Sequence, residues 1–177
     1  MMIIYFLRHA NAGKPGSNPK KDEKRALDKE GIEQCGLVGR ALVALDVQVD
    51  AIISSPLKRA AQTASLVGNE LSYEGKLQFE DGLRPGASFA DFRKLLDKWA
   101  KLDSIMVVGH NPNLSEFLGL VLTQNGSEVG FELKKGAVAR VEVGPNSAVL
   151  QWSMTPKVLR SLYAAATESS RPKTSRK

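Results

Sequence analysis

The sequence predicts an α/β fold, a three-layer αβα sandwich with a mainly parallel central sheet and an antiparallel C-terminal hairpin. Three observations carry this. Met2–Leu7 and Ser104–Gly109 are continuously apolar and rich in β-branched residues, as strands buried on both faces are. Helical patterns separate the strand-like runs, which is how parallel strands are joined. Beyond residue 136 the pattern changes to two strand-like runs flanking Gly144-Pro145-Asn146, a hairpin signature.

The elements follow in chain order. Met2–Leu7 is the first strand; it is too short, and lacks the basic lead, for a signal peptide. Residues 11–24 hold Gly13, Pro15, Gly16, Asn18 and Pro19 and a charge run from Lys20 to Arg25. They read as a loop, and a long loop in a compact domain is usually functional or mobile. Asp28 is placed to cap a helix over 29–44, whose apolar residues are Ile32, Leu37, Val38, Ala41, Leu42 and Leu45. Val49–Ser54 is the second strand. Ser55-Pro56 starts a helix to about Gly68, with proline at its first position. Leu77–Glu80 is a short strand, and Ala87-Ser88 opens a helix to about Leu102. Ser104–Gly109 is the third buried strand, and Asn111-Pro112 begins a helix to about Thr123. Ala137–Val143 and Ala148–Trp152 form the hairpin, and Pro156 starts a last helix to about Ala166.

Composition narrows the function classes. The 177 residues favour one domain over 1–167. Residues 168–177 carry Arg171, Lys173, Arg176 and Lys177 against Glu168, a net +3 of the total +6, and nothing apolar to bury. That segment is expected to be a disordered basic tail. Aromatics are 6% of the chain, and a nucleic-acid protein should interleave them with basic residues on one face, so a nucleic-acid partner is not expected. No apolar run approaches the roughly 20 residues that span a bilayer, so no membrane partner is expected either. The single cysteine, Cys35, allows no internal disulfide, which fits a cytoplasmic location. It falls in a helical pattern and reads as a packed residue, not a reactive thiol.

Three strands end in polar tips: Leu7 into Arg8-His9, Ile53 into Ser54-Ser55 with Lys58-Arg59 one turn later, and Val108 into Gly109-His110-Asn111. In an open parallel sheet, ligands bind outside the carboxyl ends of the strands, so the three tips share one rim. Both histidines of the chain lie there. Two arginines and two histidines at one rim make an anion site, because the guanidinium fork matches phosphate oxygens. A histidine in such a site serves as nucleophile, acid or hydrogen-bond donor.

Arg8-His9-Ala10, the block Ser54-Ser55-Pro56-Leu57-Lys58-Arg59-Ala60-Ala61-Gln62-Thr63-Ala64, and Val107-Val108-Gly109-His110-Asn111-Pro112 together resemble the histidine phosphatase superfamily, whose fold is phosphoglycerate mutase-like. The likeness runs from residue 2 to about 125. It implies that His9 attacks phosphorus and becomes a phosphohistidine, and that Arg8, Arg59 and His110 hold the phosphoryl oxygens. Asn11 and Asn111 are further candidate phosphate ligands, although turns and helix caps also use asparagine. No metal or other cofactor is expected.

Two departures from the family pattern matter. Ala10 stands where glycine is usual. The glutamate acid that many members carry ahead of the helix near Ser88 is replaced by Pro85, within Asp81-Gly-Leu-Arg-Pro-Gly-Ala87. Glu80 and Asp81 lie nearby but out of register; each is either a substitute acid or a solvated loop carboxylate. Losing the acid matters for an alkoxide leaving group, where such help is worth roughly 10²–10⁴-fold. It matters little for a phosphohistidine, whose protonated ring departs as neutral imidazole. With Asp22-x-x-Arg25-x-Leu27-x-x-x-Gly31 and Leu83-x-Pro85-Gly86, the chain resembles the SixA-type phosphohistidine phosphatases. That likeness implies a phosphorylated histidine-containing phosphotransfer protein as partner, in signal transduction. The alternatives are a small phosphorylated metabolite, or a module that binds phosphate without turnover. Lys58 reads as an exposed helix charge, Trp99 and Trp152 as packing residues. Arg25 either gates the pocket or pairs with Asp28 or Glu30.

Overall fold

The computed structural model describes residues 1–123 and 129–169. The chain runs β1 (Met2–Arg8), α1 (Pro19–Glu23), α2 (Lys29–Ala44), β2 (Ala51–Ser54), α3 (Lys58–Glu70), β3 (Gln78–Phe79), a 3₁₀ turn (Asp81–Leu83), α4 (Phe89–Trp99), β4 (Ser104–Gly109), α5 (Asn113–Thr123), β5 (Val138–Val143), β6 (Ala148–Met154) and α6 (Pro156–Ser169). Among the described residues the sheet has six strands in the order β3-β2-β4-β1-β5-β6. β3, β2, β4 and β1 are parallel, and β5 and β6 add the expected antiparallel pair.

Alternation along β1 divides the core. Tyr5 and Leu7 face one side with Val38, Leu42, Ala64 and Val67 of α2 and α3 and Leu159 of α6. Ile4 and Phe6 face the other with Phe92 of α4 and Leu114, Phe117 and Leu118 of α5. Helices therefore cover both faces, the three-layer arrangement that continuous apolar strands require. Trp152 packs against the first core and Trp99 against the second. Cys35 is buried, and burial pushes its thiol up to about 11, so it is a packed residue and not a nucleophile.

Several boundaries differ from those the sequence predicts, each for a local reason. The 11–24 loop contains α1, which Asn18 caps by accepting from the Lys21 N–H with Pro19 at its first position. α3 begins at Lys58, not at Ser55-Pro56, because Ser55 stays extended: its N–H donates to Val108 O of β4. The 3₁₀ turn was not foreseen. α5 begins at Asn113. α4 ends at Trp99, and its start carries a full capping box between Ser88 and Asp91. α6 continues to Ser169, so Glu168 is helical, and residues 170–177, the rest of the expected tail, lie outside the described residues. Along α2, Ile32 and Leu45 are exposed while Gln34 and Gly31 are buried. The first turn of that helix presses on the backbone that follows His9 instead of on the apolar core.

Gly31 makes that approach possible. A Cβ there would stand 2.0 Å from Asn11 O, an overlap that only backbone movement relieves. Gly31→Ala is expected to destabilise the fold by about 1–3 kcal/mol, lowering Tm by roughly 5 °C in calorimetry.

Candidate active site

The carboxyl ends of β1, β2 and β4 meet at one rim. β1 and β4 pair Arg8 with Gly109, and the His9 N–H donates to Gly109 O. His9 and His110 therefore leave the sheet side by side, with ring centroids 5.0 Å apart. His9 is 6% exposed and His110 2%. On the other side of β1, the Gly136 N–H donates to both Arg8 O and His9 O. Gly136 takes this turn with φ +70°, a conformation that favours glycine.

Each ring has one committed nitrogen. His9 Nδ1 lies 2.7 Å from Ala10 O. A carbonyl only accepts, so Nδ1 carries the hydrogen and Nε2 keeps its lone pair. His110 Nε2 lies 2.8 Å from Ser55 Oγ, and Nδ1 is buried with no partner among the described residues. Ser55 Oγ accepts from the Leu57 N–H and still has its hydrogen and a second lone pair for His110 Nε2. With Ser55 as the donor, His110 carries its hydrogen on Nδ1, a buried donor without an acceptor among the described residues.

The two arginines approach from opposite sides. Arg59, on the first turn of α3, is 5% exposed. Its Nη1 donates to Asp22 O at 3.0 Å and stands 3.3 Å from Asp22 Oδ2. Arg8 Nη1 donates to Leu133 O at 2.9 Å. Both Nε atoms are buried without partners among the described residues. Burial is the main force lowering both guanidinium pKa values. Arg25 pairs with Asp22 at 2.7 Å and donates to Ala12 O, not to Asp28 or Glu30. It nonetheless adds positive potential at both histidines.

Burial first, and crowded positive charge after it, keeps the histidines neutral. Burial, followed by Arg59, Arg8 and Arg25, brings His9 down to about 4 against the opposing pull of the Ala10 carbonyl. His110 falls to about 2 through burial, His9 and the same arginines. Asp22 is the local counter-charge, held below the usual carboxylate range by Arg25 first.

The remaining candidates are engaged elsewhere. The Asn11 side-chain N–H groups donate to Asp28 and Glu30, and its Oδ1 accepts from Lys135. Asn111 donates to Leu133 O and accepts from Ser115. Their amides brace the walls of the site. Lys58 is exposed. Glu80 pairs with Lys98 across the groove beside α4, and Asp81 pairs with Arg84 at 2.6 Å. Among the described residues, no group of three or more His, Cys, Asp or Glu is placed to hold a metal ion. No described helix is long and apolar enough to cross a membrane.

Ser55, Asp22 and Thr63 stand in motifs legible in the sequence, but nothing there assigns them a role. Thr63 Oγ accepts from the Ala10 N–H and donates to Arg59 O, tying the two arms of the site together. Serine and threonine in a helix-start block carry little signal alone, because capping accounts for them equally well. Asp22 belongs to a charge run within the segment that reads as a loop.

Residues 4–87 match the Histidine phosphatase superfamily (branch 1). An uncharacterized protein of Picosynechococcus sp. is 32% identical over 147 residues, 81% of this chain and 86% of that one. Among solved structures, the protein histidine phosphatase SixA complexed with tungstate superposes with a TM-score of 0.78 at 21% identity, over 88% of this chain and 98% of that one. A putative α-ribazole-5'-P phosphatase from Escherichia coli superposes at 0.65 and 18% identity, over 85% and 94%. At such identities these likenesses establish the fold.

The depressed histidines have a measurable consequence. Between the unfolded value near 6.5 and about 4, the unfolded chain binds more protons than the folded one. Stability therefore declines as pH falls through that window and is level above it. Denaturant titrations at pH 7.5 and 5 should show the loss, and the His9 ring resonances should not titrate between pH 8 and 5.5.

Proposed function

The chain belongs to the histidine phosphatase superfamily, and from that premise we propose that it removes the phosphoryl group of N-phosphohistidine on a phosphotransfer protein through a covalent phospho-His9 intermediate. One observation carries the choice of substrate. Pro85 occupies the place of the usual acid, and the nearby carboxylates Glu80 and Asp81 are each held in an ion pair. Phosphohistidine is the phosphoryl donor that needs an acid least. The likeness to the protein histidine phosphatase SixA supports the same substrate, and the single cysteine supports a cytoplasmic setting.

In this reading His9 Nε2 attacks phosphorus in line with the substrate nitrogen. The Nε2–P bond forms as the substrate N–P bond breaks, and the departing electron pair returns to a ring protonated at its other nitrogen. That ring leaves as neutral imidazole. The Ala10 carbonyl holds the hydrogen on His9 Nδ1 and favours the positive charge that develops on the ring. Charge on the equatorial oxygens is met by Arg8, Arg59 and the Nδ1–H of His110, and such fixed donors supply most of the stabilisation in phosphoryl transfer. Arg59 exchanges Asp22 for the phosphoryl group. Water then attacks phospho-His9, releases phosphate and regenerates neutral His9. The complete set of nucleophile and oxygen ligands argues against a module that only binds.

Rapid quench during turnover should trap acid-labile, base-stable radiolabel on the enzyme. His9→Ala should lose label and at least about 10³-fold in kcat; an active, label-free variant would sink the covalent route. Phosphohistidine protein should react faster than p-nitrophenyl phosphate or sugar phosphates. The reverse order would favour a metabolite phosphomonoesterase, the activity named for the α-ribazole-5'-P neighbour. Ser55→Ala should lower kcat about 10-fold or more, since it removes the group that sets the His110 tautomer. Asp22→Asn keeps the shape of α1 and removes the anion competing for Arg59, so KM for free phosphohistidine should fall several-fold.

A further inference from the structure

α1 lies across the mouth of the site with Asp22 turned toward Arg59 and Glu23 exposed beside Arg84. Asp22 joins Arg59 and Arg25, and Glu23 accepts from Arg84 at 3.2 Å, beside the 3₁₀ turn. The short helix thus bridges the rim from the β2 side to the β3 side. Its lysines are left facing out. Lys20, Lys21 and Lys24 are exposed, as are Lys14 in the preceding loop and Lys58 at the start of α3. None of the five forms an ion pair among the described residues. Four acids of the same rim, by contrast, are matched by cations: Asp22 by Arg25 and Arg59, Glu23 and Asp81 by Arg84, Glu80 by Lys98; Asp28 and Glu30 accept from Asn11 instead.

The opposite pole, where the parallel strands begin, has the other sign. It exposes Asp46, Asp50, Glu74 and Asp103 against Lys76 and Lys101. Charge is therefore segregated along the strand axis, with the free positive charge gathered where substrate enters. A small phosphorylated molecule has no need of it. Its phosphoryl group would reach Arg8, Arg59, His9 and His110 below the rim, and at 0.1 M salt a screening length of about 10 Å mutes outward-pointing lysines. A protein that inserts a phosphohistidine lays the surface around it directly on those lysines.

We propose that Lys14, Lys20, Lys21, Lys24 and Lys58 form a docking surface for an acidic protein that carries the phosphohistidine. The proposal rests on the phosphohistidine reading and deepens it: the rim recognises the carrier, and the pocket recognises the phosphoryl group. Complementary charge of this kind acts mainly on encounter and on partner choice.

The experiment compares wild type with Lys20→Glu/Lys21→Glu/Lys24→Glu and, outside α1, with Lys14→Glu/Lys58→Glu. The probes are an acidic histidine-containing phosphotransfer domain phosphorylated by phosphoramidate, its unphosphorylated form, and free phosphohistidine. Each variant should lose about 10-fold or more in kcat/KM on the phosphoprotein, through KM, and bind the unphosphorylated domain correspondingly more weakly in calorimetry. Free phosphohistidine should react within twofold of wild type. Raising salt from 0.05 to about 0.5 M should reproduce the loss in wild type. Unchanged binding and unchanged phosphoprotein kinetics in both variants would overturn the docking surface, as would lysine-dependent binding to duplex DNA tighter than to the acidic domain. Lysine-dependent binding of the domain with no phosphate released by wild type would uphold the surface and sink the phosphohistidine reading alone.

Discussion

Crowding positive charge around a buried histidine is the constraint on which the site depends. Arg8, Arg59 and Arg25 all raise the potential at His9, and two of these guanidinium groups carry a buried Nε without a partner among the described residues. Burial disfavours charge on either ring, like charges there repel, and the protein resolves this in two ways. Both histidines give up their protons, and Asp22 supplies the missing anion. The first outcome makes a nucleophile, because a neutral imidazole has a lone pair to give. The second leaves Arg59 with a ligand that an arriving phosphoryl group can replace. One electrostatic problem thus shapes the nucleophile, the oxygen ligands and the helix over the mouth.

Hydrogen bonds to main chain hold this arrangement still. The Ala10 carbonyl selects the Nδ1–H tautomer of His9, and Ser55 Oγ meets His110 through Nε2. Thr63 links the Ala10 amide to the Arg59 carbonyl. Gln62 accepts from the Leu27 N–H, and Gln34 from the Asn11 N–H. The polar residues of the Ser-Ser-Pro-x-x-Arg-x-x-Gln-Thr block therefore divide between aiming a ring, meeting an anion and pinning the backbone after β1. This explains why a block that resembles an ordinary helix start carries so much of the site.

Substrate choice rests on what surrounds this frame. The groove beside α4 holds three carboxylates, Glu80, Asp81 and Asp91, but each has a cation at hand. The outward lysines of α1 and α3 add the other half of recognition, at a scale larger than a phosphoryl group.

Much of this was legible in the chain. Continuous apolar runs marked β1 and β4, since only a strand covered on both faces tolerates them. Asp28 capped α2 where its residue type required. The strand-end rule brought Arg8-His9, Arg59 and His110 to one rim without any contact being known. The sequence by itself thus determined the layers, the rim and the four cationic or imidazole groups on it, because those follow from local periodicity and chain direction. Tertiary structure alone decided the rest. It engaged Asn11 and Asn111 in bracing contacts, paired Arg25 with Asp22 and not with Asp28 or Glu30, and gave Ser55 to His110. It also folded part of the 11–24 loop into a helix whose anion meets Arg59. Apart from the local Asp22–Arg25 pair, those outcomes depend on which polar groups come within about 3 Å across 22 to 124 residues of chain, a distance that no local pattern encodes.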